Sequence, residues 1–122
     1  MKLPKLLTTL FFVSNLLVIG ILPAAASYGR WEARYDGYGN ANYNPVPADY
    51  DGDRKADLSV KGNDGSWWLD YSGNGYGRWD ASYSGYGNAN YAPVAADYDG
   101  DGKADLSVRG NDGSWWIDYF AL

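Results

Sequence analysis

The chain of 122 residues contains no cysteine and no histidine. The first absence excludes disulfides, although an exported protein could carry them. The second excludes a Ser-His-Asp triad and an imidazole ligand for zinc or copper. Basic clusters are also missing, and acidic residues outnumber basic ones by 15 to 10. That balance argues against DNA, RNA and anionic lipid, whose phosphates are held by clustered Lys and Arg. Beyond residue 26 no stretch sustains a helical period of apolar residues, so a helical bundle is excluded. A small domain without disulfides needs another staple, such as a metal or oligomerisation.

What is present begins with a leader. "MKLPK" is basic, "LLTTLFFVSNLLVIGIL" runs 17 residues without a charge, and "PAAAS" supplies Ala24, Ala25 and Ala26. This is the layout of a secretory signal peptide over residues 1–26, with cleavage expected before Ser27. The alternative is an uncleaved anchor, but the run is at the short edge for a span and is diluted by Thr8, Thr9, Ser14 and Asn15. Cleavage removes Lys2 and Lys5 and no acid, so the formal charge moves from −5 to −7. The expected product is a secreted or extracytoplasmic chain of 96 residues, enough for one small domain and not inserted in a membrane.

The mature chain is a duplication. Residues 28–71 align without gaps to residues 76–119 at an offset of 48, and 36 of the 44 pairs are identical. The domains are therefore read as a first repeat over 27–75 and a second over 76–122. Each repeat reads as β. "ADLSVRG" alternates Leu106 and Val108 against Ser107 and Arg109, "NDG" marks a turn, and "SWWIDY" is rich in aromatic and branched residues. "RWDASY" and "APVAADY" are further short strands. Four strands in 48 residues match a propeller-type blade, and an eight-stranded β-sandwich is the alternative. In "SWWLDY", Trp67 and Trp68 point to opposite faces, so both faces of the strand want cover.

One turn carries the strongest chemical signal. "DYDGDGKAD" places Asp97, Asp99, Asp101 and Asp105 at positions 1, 3, 5 and 9, with Gly102 at position 6. Like charges so close repel unless something neutralises them. Alternate residues of a curled loop can aim oxygens at one hard cation, and Ca²⁺ accepts about six to eight of them. Lys103 at position 7 would add its backbone carbonyl while its ammonium points outward. The first repeat keeps Asp49, Asp51, Asp53, Lys55 and Asp57 but has Arg54 at position 6. A left-handed residue is expected there, so the first site is expected to be the weaker.

An EF-hand or dockerin would need a following helix and an acid at position 12, where this chain has Val60 or Val108. Instead "PVAADYDGDGKADLSVRGNDGSWWI" resembles the FG-GAP/VCBS repeats of calcium-binding β-propellers, as in integrin α-subunit heads and many secreted bacterial proteins. The resemblance covers both repeats. It implies that the loop joins the first two strands of a blade and coordinates through the positions named. It also implies binding or adhesion, sometimes of sugars, more often than catalysis.

On that reading blade one runs "PVPADY", "ADLSVKG", "SWWLDY", "RWDASY", while blade two lacks its fourth strand and an unpaired copy, "RWEARY", precedes blade one. Two blades do not close a ring, so a head-to-tail homo-oligomer is expected to complete the propeller, with a fragment of a longer array as the alternative. Ligand candidates are Trp31, Tyr38, Asn40, Asn42 and Tyr43, with Trp79, Tyr86, Asn88, Asn90 and Tyr91 in the second copy. They mix flat apolar faces with amides, as a lectin or an extracellular protein-binding surface requires, but the same residues suit inter-blade packing and turns. Catalysis is not expected. Asp70 and Asp118 are the natural carboxylate pair, yet the repeat gives them equivalent settings, whereas a catalytic pair needs different ones.

Overall fold

Residues 29–120 are described in the computed structural model, and the leader assigned to 1–26 lies outside them. Seven strands follow in order: β1 (Tyr43–Pro45), β2 (Leu58–Gly62), β3 (Trp67–Asp70), β4 (Ala81–Tyr83), β5 (Tyr91–Pro93), β6 (Leu106–Gly110) and β7 (Trp115–Asp118). They form two antiparallel sheets, β1-β2-β3-β4 and β5-β6-β7. Among the described residues the one helical element is a 3₁₀ turn at Ser72–Asn74, and no helix is long and apolar enough to cross a membrane. The all-β reading holds. Both sheets lie in the unit that begins at Tyr35, and residues 31–35 form no strand.

Local chemistry explains the hairpins. Between β2 and β3, Asp64 Oδ1 accepts both the amide and the hydroxyl of Ser66, at 3.0 and 2.6 Å. Asp112 and Ser114 repeat this between β6 and β7 at 2.9 and 2.6 Å. A short polar side chain that satisfies local amides stabilises a tight turn. β1 and β2 pair Tyr43 with Gly62, and the same register continues to a bridge between Ala48 and Asp57. β5 and β6 do likewise, from Tyr91 and Gly110 to Ala96 and Asp105. The first strand of each blade thus begins two residues earlier than "PVPADY" and "PVAADY" suggest. From Asp49 and Asp97 onward the backbone amides go to carboxylates instead of a neighbouring strand.

The first sheet has four strands and the second three, as expected where "RWDASY" of the second repeat completes blade one. Val46, Tyr50, Trp67, Leu69, Ala104 and Val108 form a core drawn from both repeats. Trp67 is fully buried, its indole N–H donating to Ser59 Oγ at 2.9 Å and its ring meeting Tyr86 edge-on at 5.4 Å. The repeats are also joined by their backbones: Tyr86 N donates to Gly65 O at 3.0 Å and Ala104 N to Asp49 O at 2.8 Å. Lys61 is fully buried at this junction, its ammonium donating to the carbonyls of Gly87 and Asn88 at 2.9 and 3.2 Å. Burial, which disfavours the charged form, lowers its pKa.

Candidate metal centre

Each acidic loop curls around its first aspartate. Asp49 Oδ1 accepts the amides of Gly52 and Asp53 at 2.7 and 3.2 Å, and Oδ2 accepts that of Arg54 at 2.7 Å. Asp97 binds the amides of Gly100, Asp101 and Gly102 in the same way, at 2.7, 3.1 and 2.8 Å. Asp53 and Asp101 then accept the amides of Lys55 and Lys103, both at 2.9 Å. The curl brings one oxygen from each of Asp49, Asp51 and Asp53 within 4.8 Å of one another, and the same holds for Asp97, Asp99 and Asp101.

Position 6 has the left-handed backbone expected of it. Gly102 has φ 91°, and Arg54 has φ 72°, the one positive value at a non-glycine among the described residues. A side chain in that region costs about 1–2 kcal/mol, and Arg54 bears that strain in the first loop.

The charges in the loops differ by position. At Asp51 burial pushes the pKa up, and the Asp57 and Asp53 charges add to it against the pull of the Asp53 amide. Asp99 is raised too, by burial first and also by Asp101 and Asp105. The amide of Lys55 holds Asp53 down, and the amide of Gly102 does so for Asp97. The third-position carboxylate of each loop is therefore one whose negative charge its surroundings disfavour. Lys103 does not compensate it. Its ammonium lies 4.1 Å from the centre of the Phe120 ring.

The ninth position does different work. Asp57 is fully buried and stands outside the three-carboxylate group, its Oδ2 accepting the Tyr50 amide at 2.7 Å and Oδ1 the Ser72 amide at 2.8 Å. Asp105 makes the matching bonds to the amides of Tyr98 and Phe120, both at 2.8 Å. These two residues tie the loop to the segment that follows the third strand. The donor set as a whole is all oxygen and mostly anionic, which suits a hard divalent cation such as Ca²⁺. Asp49, Asp51 and Asp53, or Asp97, Asp99 and Asp101, would hold it.

The aromatic and amide candidates are largely committed within the fold. Tyr38 packs edge-on against Trp79 at 4.8 Å and donates its hydroxyl to Asp70, while Tyr86 donates to Asp118. Asn40 Oδ1 accepts the Asn42 amide and Asn88 Oδ1 the Asn90 amide, both at 2.8 Å, closing turns. Tyr43 and Tyr91 lean on Gly39 and Gly87, where a Cβ would meet the rings at 2.8 and 2.7 Å. Trp31 stands alone at 95% exposure. Asp70 is buried and its Oδ2 also accepts the amides of Gly77 and Arg78, whereas Asp118 is exposed. The sequence reading missed Lys61, whose place in the alternation "LSVKG" marks it as solvent-facing. Nothing in the local pattern distinguishes it from the exposed Arg109.

Two antiparallel sheets, each with an acidic loop of one design between its first two strands, define a β-rich repeat protein. The FG-GAP-like repeat model matches residues 49–108, from the first aspartate of loop one to β6, and that stretch is consistent with the FG-GAP-like repeat family. Among curated proteins and among solved structures nothing matches the chain.

Proposed function

We propose that the protein is a secreted, calcium-stabilised β-propeller-type module that serves binding or adhesion rather than catalysis. The observation that carries this reading is the double occurrence of one acidic curl, with three convergent carboxylates and a left-handed sixth residue in each copy. Calcium would hold the two first-strand hairpins closed by neutralising Asp51 and Asp99, whose charges are otherwise disfavoured by their surroundings. The chain's own part is to keep Asp49 and Asp97 oriented through three amide bonds each. Asp57 and Asp105 couple the ion-bearing loop to the rest of the sheet.

Isothermal titration of the secreted protein with Ca²⁺ tests the reading. Two binding events of unequal affinity are expected, with the tighter one lost in Asp99→Ala and the weaker in Asp51→Ala. No heat of binding, together with a melting temperature indifferent to chelator, would refute it. Adhesion through protein surfaces is favoured over sugar binding because the side-chain oxygens of Asn40 and Asn88 close turns and that of Asn90 accepts from Asn111. Calcium-dependent glycan binding that vanishes in Tyr91→Ala would reverse that preference.

A further inference from the structure

We infer that the open face of β7 is a socket for residues 29–40 of a second copy of this chain, with Trp31 as the plug. The inference does not rest on calcium binding, and its pattern is already present within one molecule. In the first sheet β4 pairs with β3, placing Tyr83 opposite Trp67 and Ala81 opposite Leu69. Just before β4, the amides of Gly77 and Arg78 bind Asp70, and Trp79 packs against Tyr38 and Trp68, with ring centres at 4.8 and 5.8 Å. Beyond β4, Tyr86 covers Trp67, and Gly87 and Asn88 receive Lys61.

Subtracting the repeat offset of 48 turns this covering segment into residues 29–40, and every side chain named keeps its type. Gly29 and Arg30 correspond to Gly77 and Arg78, Trp31 to Trp79, Tyr38 to Tyr86, and Gly39 and Asn40 to Gly87 and Asn88. The receiving residues also recur: Asp118 for Asp70, Trp115 and Trp116 for Trp67 and Trp68, and Arg109 for Lys61. Among the described residues nothing pairs with the outer edge of β7, and Trp115 and Trp116 are 52% and 61% exposed.

Two further observations show a site built for an indole. The first sheet has a cavity of about 170 Å³ beside Gly37, Tyr43, Val60 and Trp68, walled by Trp79. The corresponding cavity in the second sheet, beside Gly85, Tyr91, Val108 and Trp116, has no such wall and measures about 410 Å³. Ser107 Oγ is buried without a hydrogen-bond partner, whereas its counterpart Ser59 Oγ accepts the Trp67 indole N–H. A covered Trp115 would satisfy Ser107 as Trp67 satisfies Ser59.

In the assembled form the second copy's Trp31 fills the 410 Å³ cavity against Tyr86 and Trp116. Its residues 33–35 add a fourth strand to β7, and its Gly29 and Arg30 amides reach Asp118. The contact is heterologous, so it repeats from chain to chain and closes into a ring where the rotation allows.

Sedimentation velocity over a concentration series tests this, with Trp31→Ala, Trp116→Ala and their equimolar mixture beside the unaltered protein. The unaltered protein is expected to sediment as an assembly of several chains, and each variant to associate at least tenfold more weakly. Trp31 is almost wholly exposed in the single chain, so Trp31→Ala leaves the melting profile of dilute, unassociated protein unchanged and loss of folding does not explain loss of assembly. The mixture pairs one intact plug with one intact socket and is expected to yield a dimer that grows no further. A protein that stays monomeric at every concentration would overturn the proposal, as it would mean that some other partner covers the face. So would an assembly insensitive to Trp31→Ala, or a mixture that stays monomeric.

Discussion

The two halves of this molecule have nearly the same sequence and different surroundings. Trp67, Lys61 and Asp70 are fully buried, while their counterparts Trp115, Arg109 and Asp118 are exposed. The cause is not local, since the hairpins share one register and the same turn bonds. What differs is the neighbour. The first sheet is covered by the segment running from Gly77 to Asn88, and among the described residues the second sheet has no equivalent cover. Burial in a repeat is thus a property of the junction and not of the unit.

The sharpest way to break this comparison is a pair of tryptophan truncations. Trp67→Ala is expected to cost about 3–5 kcal/mol of unfolding free energy, the range for large aromatic cavities in cores. Trp115→Ala in dilute, unassociated protein is expected to change it by no more than about 0.5 kcal/mol, as exposed substitutions do. Urea unfolding followed by circular dichroism measures both, and equal losses would contradict the difference in cover.

The ninth-position aspartates come next. Asp57→Ala strands the amides of Tyr50 and Ser72, each stranded donor costing about 1–3 kcal/mol where it is buried. Asp105→Ala is expected to cost less, because Tyr98 is more exposed than Tyr50 and its amide can reach water. Thermal melting without added metal separates this effect from ion binding.

Exchanging the sixth loop residues should make the two loops alike. Arg54→Gly relieves the left-handed strain and is expected to stabilise the chain by about 1 kcal/mol, with Gly102→Arg costing a similar amount. In calcium titration the first change should narrow the gap between the two affinities. A gap left unaltered would remove Arg54 as its cause.

The smallest effect is spectroscopic. Burial pushes the Tyr38 hydroxyl up to about 12, and its hydrogen bond to Asp70 adds to the shift. A folded-state pKa above the unfolded value means that the contribution of Tyr38 is complete below about pH 10 and lost as pH rises toward 12. Tyr86, with burial and Asp118 acting the same way, is also raised. Burial also pushes the Tyr50 hydroxyl up to about 12. Phenolate absorbance should therefore show a late-titrating group of tyrosines that includes Tyr38, Tyr50 and Tyr86, and Tyr38→Phe should remove one of them. A late-titrating group unchanged in Tyr38→Phe would mean that the Tyr38–Asp70 bond does not persist in solution.

Much of this was legible in the chain before any fold was drawn. The alternation of "DLSV" and the "NDGS" turns call for β2, β3, β6 and β7, and D-x-D-x-D spacing gathers three carboxylates because alternate side chains of a curl face one way. The need for a left-handed residue at position 6 was also readable, and the mismatch at Arg54 with it. The start of each blade was less legible, since the amides of Asp49 and Asp97 loops choose between strand and carboxylate only when both are in reach. The bonds of Asp57 to the Tyr50 and Ser72 amides were not legible, because spacing shows which residues neighbour one another in a curl but not which amides lie beneath it. Lys61 gave no sign at all, since its acceptors, Gly87 and Asn88, lie far along the chain.

By itself, then, the sequence determined the repeat, the strand class and the acidic curl, all of which follow from contacts between residues a few positions apart. Only the tertiary structure decided which copy of each tryptophan, lysine and aspartate is buried. That outcome depends on a covering segment from the next repeat, and two stretches with almost the same residues carry no record of which one has it.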